Sequence, residues 1–364
     1  MSKRFIIAGG GTGGHIFPAI AIANAIKKAE PAAEILFVGA KGKMEMEKVP
    51  LAGYKIEGLT IAGFNRSSLI KNIGLPFKLI QSFFQVASII KKFKPDAVIG
   101  VGGYSSFPVL RYAQSKGIAT FIHEANSFAG KTNILLGKKA MKIFTATDGM
   151  ENFFSKEKII VTGNPVRKVI AETKIQQSEA ISHFNLNSDK KTVLVVGGSL
   201  GAKSINEAVA NRIEFFSQHD LQLIWQTGKL YAEKAKELCK GMNLVFVSDF
   251  ITQMEFAYAA SDVVISRSGA MAISELCIVG KPVVFVPFPN AAEDHQTANA
   301  KKLVDKNAAV LVEDKNAMNQ LIPEMWNLIS NASLQNEMKI NIKKLSILNA
   351  DERVADEILK YLNS

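Results

Sequence analysis

The stretch RFIIAGGGTGGHIFPAIAIANAI, Arg4 to Ile26, constrains the chain more than any other. An apolar strand pattern, Phe5 to Ala8, runs into five glycines and one threonine at positions 9 to 14 and then into a helical pattern. Each glycine costs backbone entropy without adding a side chain, so this density marks close approach to a ligand or another backbone. A glycine turn between strand and helix also presents N–H groups at the positive end of the helix, a ready site for phosphate or another oxyanion. Here it also carries His15.

The unit recurs. KTVLVVGGSLGAKSINEAVANRI starts at Lys191, and setting Gly197 on Gly10 also pairs Gly198 with Gly11, Ser199 with Thr12 and Gly201 with Gly14. The first half alternates β-branched runs with helical patterns, with strands near Glu34 to Val38 and Lys55 to Ile61, then in DAVIGVGG, GIATFIHE and MKIFTAT. The second half continues through LQLIWQTG, NLVFVSDF, DVVISRSG, KPVVFVPF and AAVLVED. Such alternation means a parallel sheet with helices on both faces.

Near GNPVR, Gly163 to Arg167, the pattern breaks into a polar segment from Glu172 to Lys191. At 364 residues the chain exceeds what one hydrophobic core usually supports. The expectation is an α/β protein of two Rossmann-like domains facing a cleft, residues 1–163 and 164–340. A C-terminal helix in 341–364, with the stripe Val354, Ile358, Leu359 and Leu362, completes the first. Ligands of open α/β sheets sit at the carboxyl ends of the strands.

Gly9, Gly11 and Gly14 fit the GxGxxG fingerprint of dinucleotide folds. The second strand, however, ends in Gly39, Ala40 and Lys41, with no acid for the ribose hydroxyls, which argues against a nicotinamide site. Cys239 and Cys277 are the only cysteines, so a disulfide framework is excluded and a reducing, cytoplasmic compartment is expected. The five histidines are scattered, and no HxxxH, HExxH or DxD spacing occurs, so no metal is expected. No apolar run approaches the roughly 20 residues of a bilayer span, and MSKRFII leads straight into a strand rather than a signal peptide. The net charge of +11 predicts attraction to polyanions, and nucleic acid, anionic lipid and pyrophosphate ligands all satisfy it.

Three glycine-rich turns lie at strand ends: 9 to 14, Gly102-Gly103-Tyr104-Ser105-Ser106, and 197 to 201. SRSGAMAISEL follows a further strand, with Ser268 placed to cap a helix that carries Glu275. One strand later VPFPNAAEDHQTANA presents His295, Gln296 and Asn299 at helical spacing. A carboxylate and amides converging on one site suit a polyhydroxylated ligand, since each group can bond vicinal hydroxyls. Residues 64 to 94 hold Arg66, Lys71, Lys78, Lys91, Lys92 and Lys94 and no acid, interleaved with Leu75, Phe77, Ile80, Phe83 and Phe84. This is either a buried helix with a solvated basic end or a membrane-facing one. At roughly 1 kcal/mol per cation, half of the six would supply about 3 kcal/mol toward anionic lipid, enough for reversible association.

Taken in order, GGTGGHIFPAIA, GGYSSFP, HEANSFAGKTN, GNPVR, GGSLGA, SRSGAMAISE and VPFPNAAEDHQTANA resemble the MurG family of bacterial transferases, over a span from Gly10 to Asn299. Members of that family move N-acetylglucosamine from UDP-N-acetylglucosamine onto lipid I, the undecaprenyl-pyrophosphoryl muramyl-pentapeptide, to give lipid II. The resemblance implies a GT-B fold, with acceptor and membrane contacts in the first domain and the donor in the second. It implies an inverting reaction with no metal and no cofactor, at the cytoplasmic face of the inner membrane, with anionic lipids and no nucleic acid as partners.

Carried over by position, Thr12, Gly13 and Gly14 match first-loop donor contacts, Asn126 an amide on the sugar, and Arg167 a phosphate-binding arginine. Ser199 matches the serine on the donor pyrophosphate and Ile251 the residue whose backbone reads uracil. The run Ala270, Met271, Ala272, Ile273, Ser274 and Glu275 is similar to the nucleoside pocket, with Glu275 on the ribose diol, and Gln296 and Asn299 match sugar-hydroxyl contacts. His15 resembles the histidine near the reacting centre, as general base or as a ligand of the acceptor. Ala125 and His295 stand where the family commonly has Gln. Other enzymes of the same fold, such as a UDP-N-acetylglucosamine 2-epimerase, and a non-catalytic polyanion-binding protein are the competing readings.

Overall fold

The computed structural model describes residues 2–63, 72–198 and 200–364. The chain divides into two compact units, Met1–Arg167 with Asn349–Ser364, and Lys168–Leu348.

Among the described residues the first unit holds β1 (Arg4–Ala8), β2 (Glu34–Ala40), β3 (Lys55–Leu59), β4 (Ala97–Gly100), β5 (Ala119–Glu124), β6 (Lys142–Thr145) and β7 (Ile159–Val161). They form one parallel sheet in the order β3-β2-β1-β4-β5-β6-β7. Alternation along β1 explains the two layers of helices. Phe5 and Ile7 face one core with Ile22 and Ile26 of the helix Gly13–Ala29, while Ile6 and Ala8 face another with Val86, Ile90 and Leu110. The C-terminal helix Ala350–Asn363 joins the first of these cores through Val354, Ala355 and Ile358. The segment given to the first unit starts at Asn349, not at residue 341, because the preceding helix Ala332–Lys343 packs in the second unit and Asn349, at φ 56°, makes the turn between them. The sequence pattern missed β7, a three-residue edge strand whose Val161 is exposed and which therefore lacks the signature of a buried strand.

The second unit holds β8 (Lys191–Val196), β9 (Leu221–Gln226), β10 (Val245–Ser248), β11 (Val263–Ser266), β12 (Val283–Phe285) and β13 (Val310–Leu311). Their order, β10-β9-β8-β11-β12-β13, repeats that of β1 to β6, again with every pair parallel. The duplicated glycine turns are thus duplicated topology. In each sheet the order reverses beside the strand that feeds the turn, between β1 and β4 and between β8 and β11, where open α/β sheets open a crevice.

Candidate functional site

In the first unit the glycine turn leaves β1 and is tied down at once. Gly9 N donates to Val38 O at 3.2 Å, Gly10 N to Gly102 O at 3.4 Å, and Gly11 N to Glu45 Oε2 at 2.9 Å. Glu45 is only 1% exposed, and its Oε1 accepts the Ala40 N–H at 3.0 Å. The Gly11 amide that a phosphate would need is therefore already held by a carboxylate. The helix beyond starts at Gly13 with Thr12 as an extended N-cap and no acid in its first turn, so Thr12, Gly13 and Gly14 form its partly exposed positive end.

His15 follows on the first turn. Its Nδ1 lies 3.1 Å from Gly10 O, and a carbonyl only accepts, so Nδ1 carries the hydrogen and Nε2 of the neutral ring carries the lone pair. Gly102 makes room for that ring: at φ +96°, a Cβ there would lie 2.8 Å from both Nε2 and Cδ2.

Two loops after β5 and β7 carry the other first-unit candidates. Glu124 is buried and organises HEANS: Oε1 accepts from Asn126 N at 3.0 Å and Asn126 Nδ2 at 3.3 Å, and Oε2 from Gly130 N at 3.1 Å and Asn133 Nδ2 at 2.8 Å. Asn164 of GNPVR donates to Ala125 O at 3.1 Å, and His123 Nε2 donates to Gly163 O at 3.4 Å, so the loop ending in Arg167 is fixed to the one presenting Asn126. Complete burial pushes the His123 pKa down to about 4, against the carbonyl bond, and His15, whenever it is protonated, lowers it further. His123 is neutral at pH 7.

In the second unit the turn after β8 opens onto a cleft of about 670 Å³ lined by Gly197, Gly198, Gly201, Ala272 and Gln296 among others. Ser199 lies outside the described residues. Gln226, at the end of β9, is buried and joins two segments: its Nε2 donates to Gly198 O at 3.1 Å and its Oε1 accepts from Ile251 N at 2.9 Å. The helix Ala270–Val279 starts behind Gly269 with Ala270, Met271, Ala272, Ile273, Ser274 and Glu275 all half-buried. Ser268 is not its cap, contrary to the sequence reading. Its Oγ donates to Gln296 O at 2.9 Å instead, so it ties the SRSG turn to the helix His295–Val304. Gln296 Oε1 accepts from Phe288 N at 2.9 Å, and the buried Asn299 donates to Ser268 O at 3.4 Å. Glu275 Oε2 accepts from the phenol of Tyr258 at 3.0 Å. Arg267, on the cleft wall, donates to Val286 O, Pro287 O, Ser204 Oγ and the Asp314 carboxylate, which holds the turn after β11 to the far rim.

Burial pushes the thiols of Cys239 and Cys277 up to about 11 and about 12, so neither supplies a thiolate nucleophile at neutral pH. The helix Leu75–Phe93 buries Ser82, Val86 and Ile90 and exposes Phe77 (76%), Ile80 and Phe84 (75%) on the opposite side, beside Lys78, Lys91 and Lys92. Its apolar content is thus only partly core, and the stripe left outside carries two phenylalanines and an isoleucine. Arg66 and Lys71 lie outside the described residues.

Sequence reasoning passed over Glu45, Glu124, Gln226, Tyr258 and Arg267. Glu124 and Gln226 end strands, Arg267 follows one, Glu45 opens the helix Glu45–Leu51 and Tyr258 lies within a helix. Glu124, inside HEANS, and Arg267, inside SRSG, had a signal to find; the other three lie outside every motif.

Residues 5–145 match the model of the glycosyltransferase family 28 N-terminal domain and residues 192–354 that of the family 28 C-terminal domain. A Parabacteroides distasonis protein named UDP-N-acetylglucosamine–N-acetylmuramyl-(pentapeptide) pyrophosphoryl-undecaprenol N-acetylglucosamine transferase is 51% identical over 363 residues, covering 99% of this chain and 98% of its own. A Flavobacterium psychrophilum protein of the same name is 49% identical, again over 99% and 98%. The crystal structure of Acinetobacter baumannii MurG superposes with a TM-score of 0.79 at 29% identity, covering 98% of this chain and 99% of that one.

Proposed function

Because the chain belongs to glycosyltransferase family 28, and within it to the MurG family, we propose a division of one reaction between its two units. The protein transfers N-acetylglucosamine from UDP-N-acetylglucosamine to lipid I and so forms lipid II in peptidoglycan biosynthesis. The observation that carries this is identity of about half the residues over nearly the full length of named relatives.

The second unit holds the donor. Glu275 takes the ribose diol, the Ile251 backbone reads uracil, and the run Ala270 to Ser274 walls the nucleoside. Gln296 and Asn299 meet sugar hydroxyls, and the turn with Ser199 meets the pyrophosphate. Arg167 adds a cation for the phosphates, Asn126 an amide for the sugar, and Thr12, Gly13 and Gly14 the positive end of their helix. Displacing UDP develops charge on the pyrophosphate, which helix N-termini, backbone N–H groups and a cation can meet, so the reaction is proposed to need no metal. His15 Nε2, the lone-pair atom when Nδ1 is held by Gly10 O, takes the proton of the acceptor hydroxyl. One in-line displacement inverts the anomeric carbon.

The family's lipid-linked acceptor puts the work of this protein at a membrane surface; among the described residues no helix is long and apolar enough to cross a bilayer. The stripe Phe77, Ile80 and Phe84 with its flanking lysines supports peripheral docking on the anionic cytoplasmic leaflet of the inner membrane. The positive charge serves lipid and pyrophosphate ligands rather than nucleic acid. Incubation with donor and a lipid I analogue tests the reading: disaccharide product and UDP in equal amounts are expected. UDP without disaccharide, or N-acetylmannosamine, contradicts it.

A further inference from the structure

Tyr258 lies in the helix Met254–Ala260, buried, with its phenol donating to Glu275 Oε2 at 3.0 Å. The tyrosine is itself held from behind. Ser261 Oγ donates to Tyr258 O at 3.0 Å, and Lys281 Nζ donates to Ser261 O at 2.6 Å and Ala259 O at 3.4 Å, which pins the end of its helix. That helix follows closely on Ile251, whose N–H is fixed by Gln226. One short segment thus delivers both a backbone group proposed to read the base and a phenol bonded to the carboxylate proposed to read the ribose.

A hydrogen bond to an ionised carboxylate is among the stronger neutral-donor bonds, and in a desolvated place it fixes orientation as well as energy. A carboxylate has about four acceptor positions, so one bond from the phenol sets its plane without using its whole capacity. Glu275 sits on a half-buried helix face, with three side-chain torsions to order before it can meet two vicinal hydroxyls together. A partner that orders them beforehand removes that cost from binding.

We infer that Tyr258 is a positioning residue for the donor, its phenol holding the Glu275 carboxylate in the orientation that takes both ribose hydroxyls. The inference rests on the reading of Glu275 as the ribose ligand. Tyr258→Phe keeps the ring and its packing and removes only the bond. In full-length enzyme this variant should raise donor KM about tenfold, with acceptor KM, kcat at saturating donor and the thermal midpoint unchanged. Glu275→Ala should raise donor KM at least as much, and adding Tyr258→Phe to it should change KM less than twofold, since the two act through one contact. A donor KM that rises with Glu275→Ala but not with Tyr258→Phe overturns the inference and leaves the Glu275 reading standing. Multiplying effects in the double variant, or a fall in kcat and the thermal midpoint with no KM change, assign Tyr258 an independent structural role and overturn it as well. If Glu275→Ala leaves donor KM unchanged, the reading beneath the inference has failed and the inference with it.

Discussion

The Glu45 carboxylate accepts the Gly11 N–H at 2.9 Å, so the first glycine turn carries its own anion. The bond closes the amide that a dinucleotide fold offers to pyrophosphate and leaves the helix end at Gly13 and Gly14 as the turn's positive feature.

Glu45→Ala should therefore damage stability before it damages donor recognition. It leaves the Gly11 and Ala40 N–H groups without their acceptor in a buried place, at about 1–3 kcal/mol each. Denaturant titration should show the first unit destabilised by about 2–4 kcal/mol. A variant as stable as wild type would mean the loop finds other acceptors at no cost.

Gly102→Ala should act on chemistry. Its Cβ would press on the His15 ring at 2.8 Å, and the +96° φ adds backbone strain, so the imidazole must move. Expected is a fall in kcat of tenfold or more, with UDP affinity by calorimetry kept within about twofold. Equal loss in both would show that the turn, not the ring, was disturbed.

His123 predicts an acid weakness. The folded protein keeps this ring neutral down to about pH 4, whereas the unfolded chain protonates it near 6.5. The unfolded state thus binds the extra proton as pH falls through that window. The contribution is complete above about pH 6.5 and lost by about pH 4, a swing of about 3 kcal/mol. His123→Gln, which can still donate to Gly163 O, should flatten the stability profile between those limits. A profile as steep as that of wild type would assign the acid sensitivity to other groups.

The exposed stripe makes its own prediction. Phe77→Ser with Phe84→Ser should weaken cosedimentation with anionic vesicles by a hundredfold or more, at about 2 kcal/mol per ring taken out of the lipid boundary. Lys91→Ala with Lys92→Ala should weaken it less, and by an amount that shrinks as salt rises. Vesicle binding that survives loss of both rings would move the docking surface elsewhere.

Most of the sheet order could be read from the strand–turn–helix repeat, because β1 and β8 are buried on both faces and lead into glycine turns that few other architectures need. β7 could not, because a three-residue edge strand carries neither a buried run nor a clear alternation. The motif residues His15, Asn126, Glu275 and Gln296 are singled out as candidates by their neighbours in sequence. Glu45 and Tyr258 are not, since what makes each matter is a partner brought close only by the fold: Gly11 follows β1 and Glu45 follows the neighbouring β2, and Glu275 reaches Tyr258 from another helix. Ser268 shows the reverse error, a good capping residue one position too early whose hydroxyl serves a different helix.

Donor recognition and proton abstraction are proposed to reside in different units, at Glu275 and at His15. Steady-state kinetics of wild type, Glu275→Ala and His15→Ala, with donor and acceptor varied in turn across a pH series, tests this most directly. Glu275→Ala should raise donor KM by about 10- to 100-fold, the range of about 1.5–3 kcal/mol for charged hydrogen bonds, and keep the acidic limb of the kcat profile. His15→Ala should leave donor KM nearly unchanged, lower kcat strongly and remove that limb. An acidic limb that persists in His15→Ala, with acceptor KM raised instead, would contradict the assignment and make His15 a ligand of the acceptor.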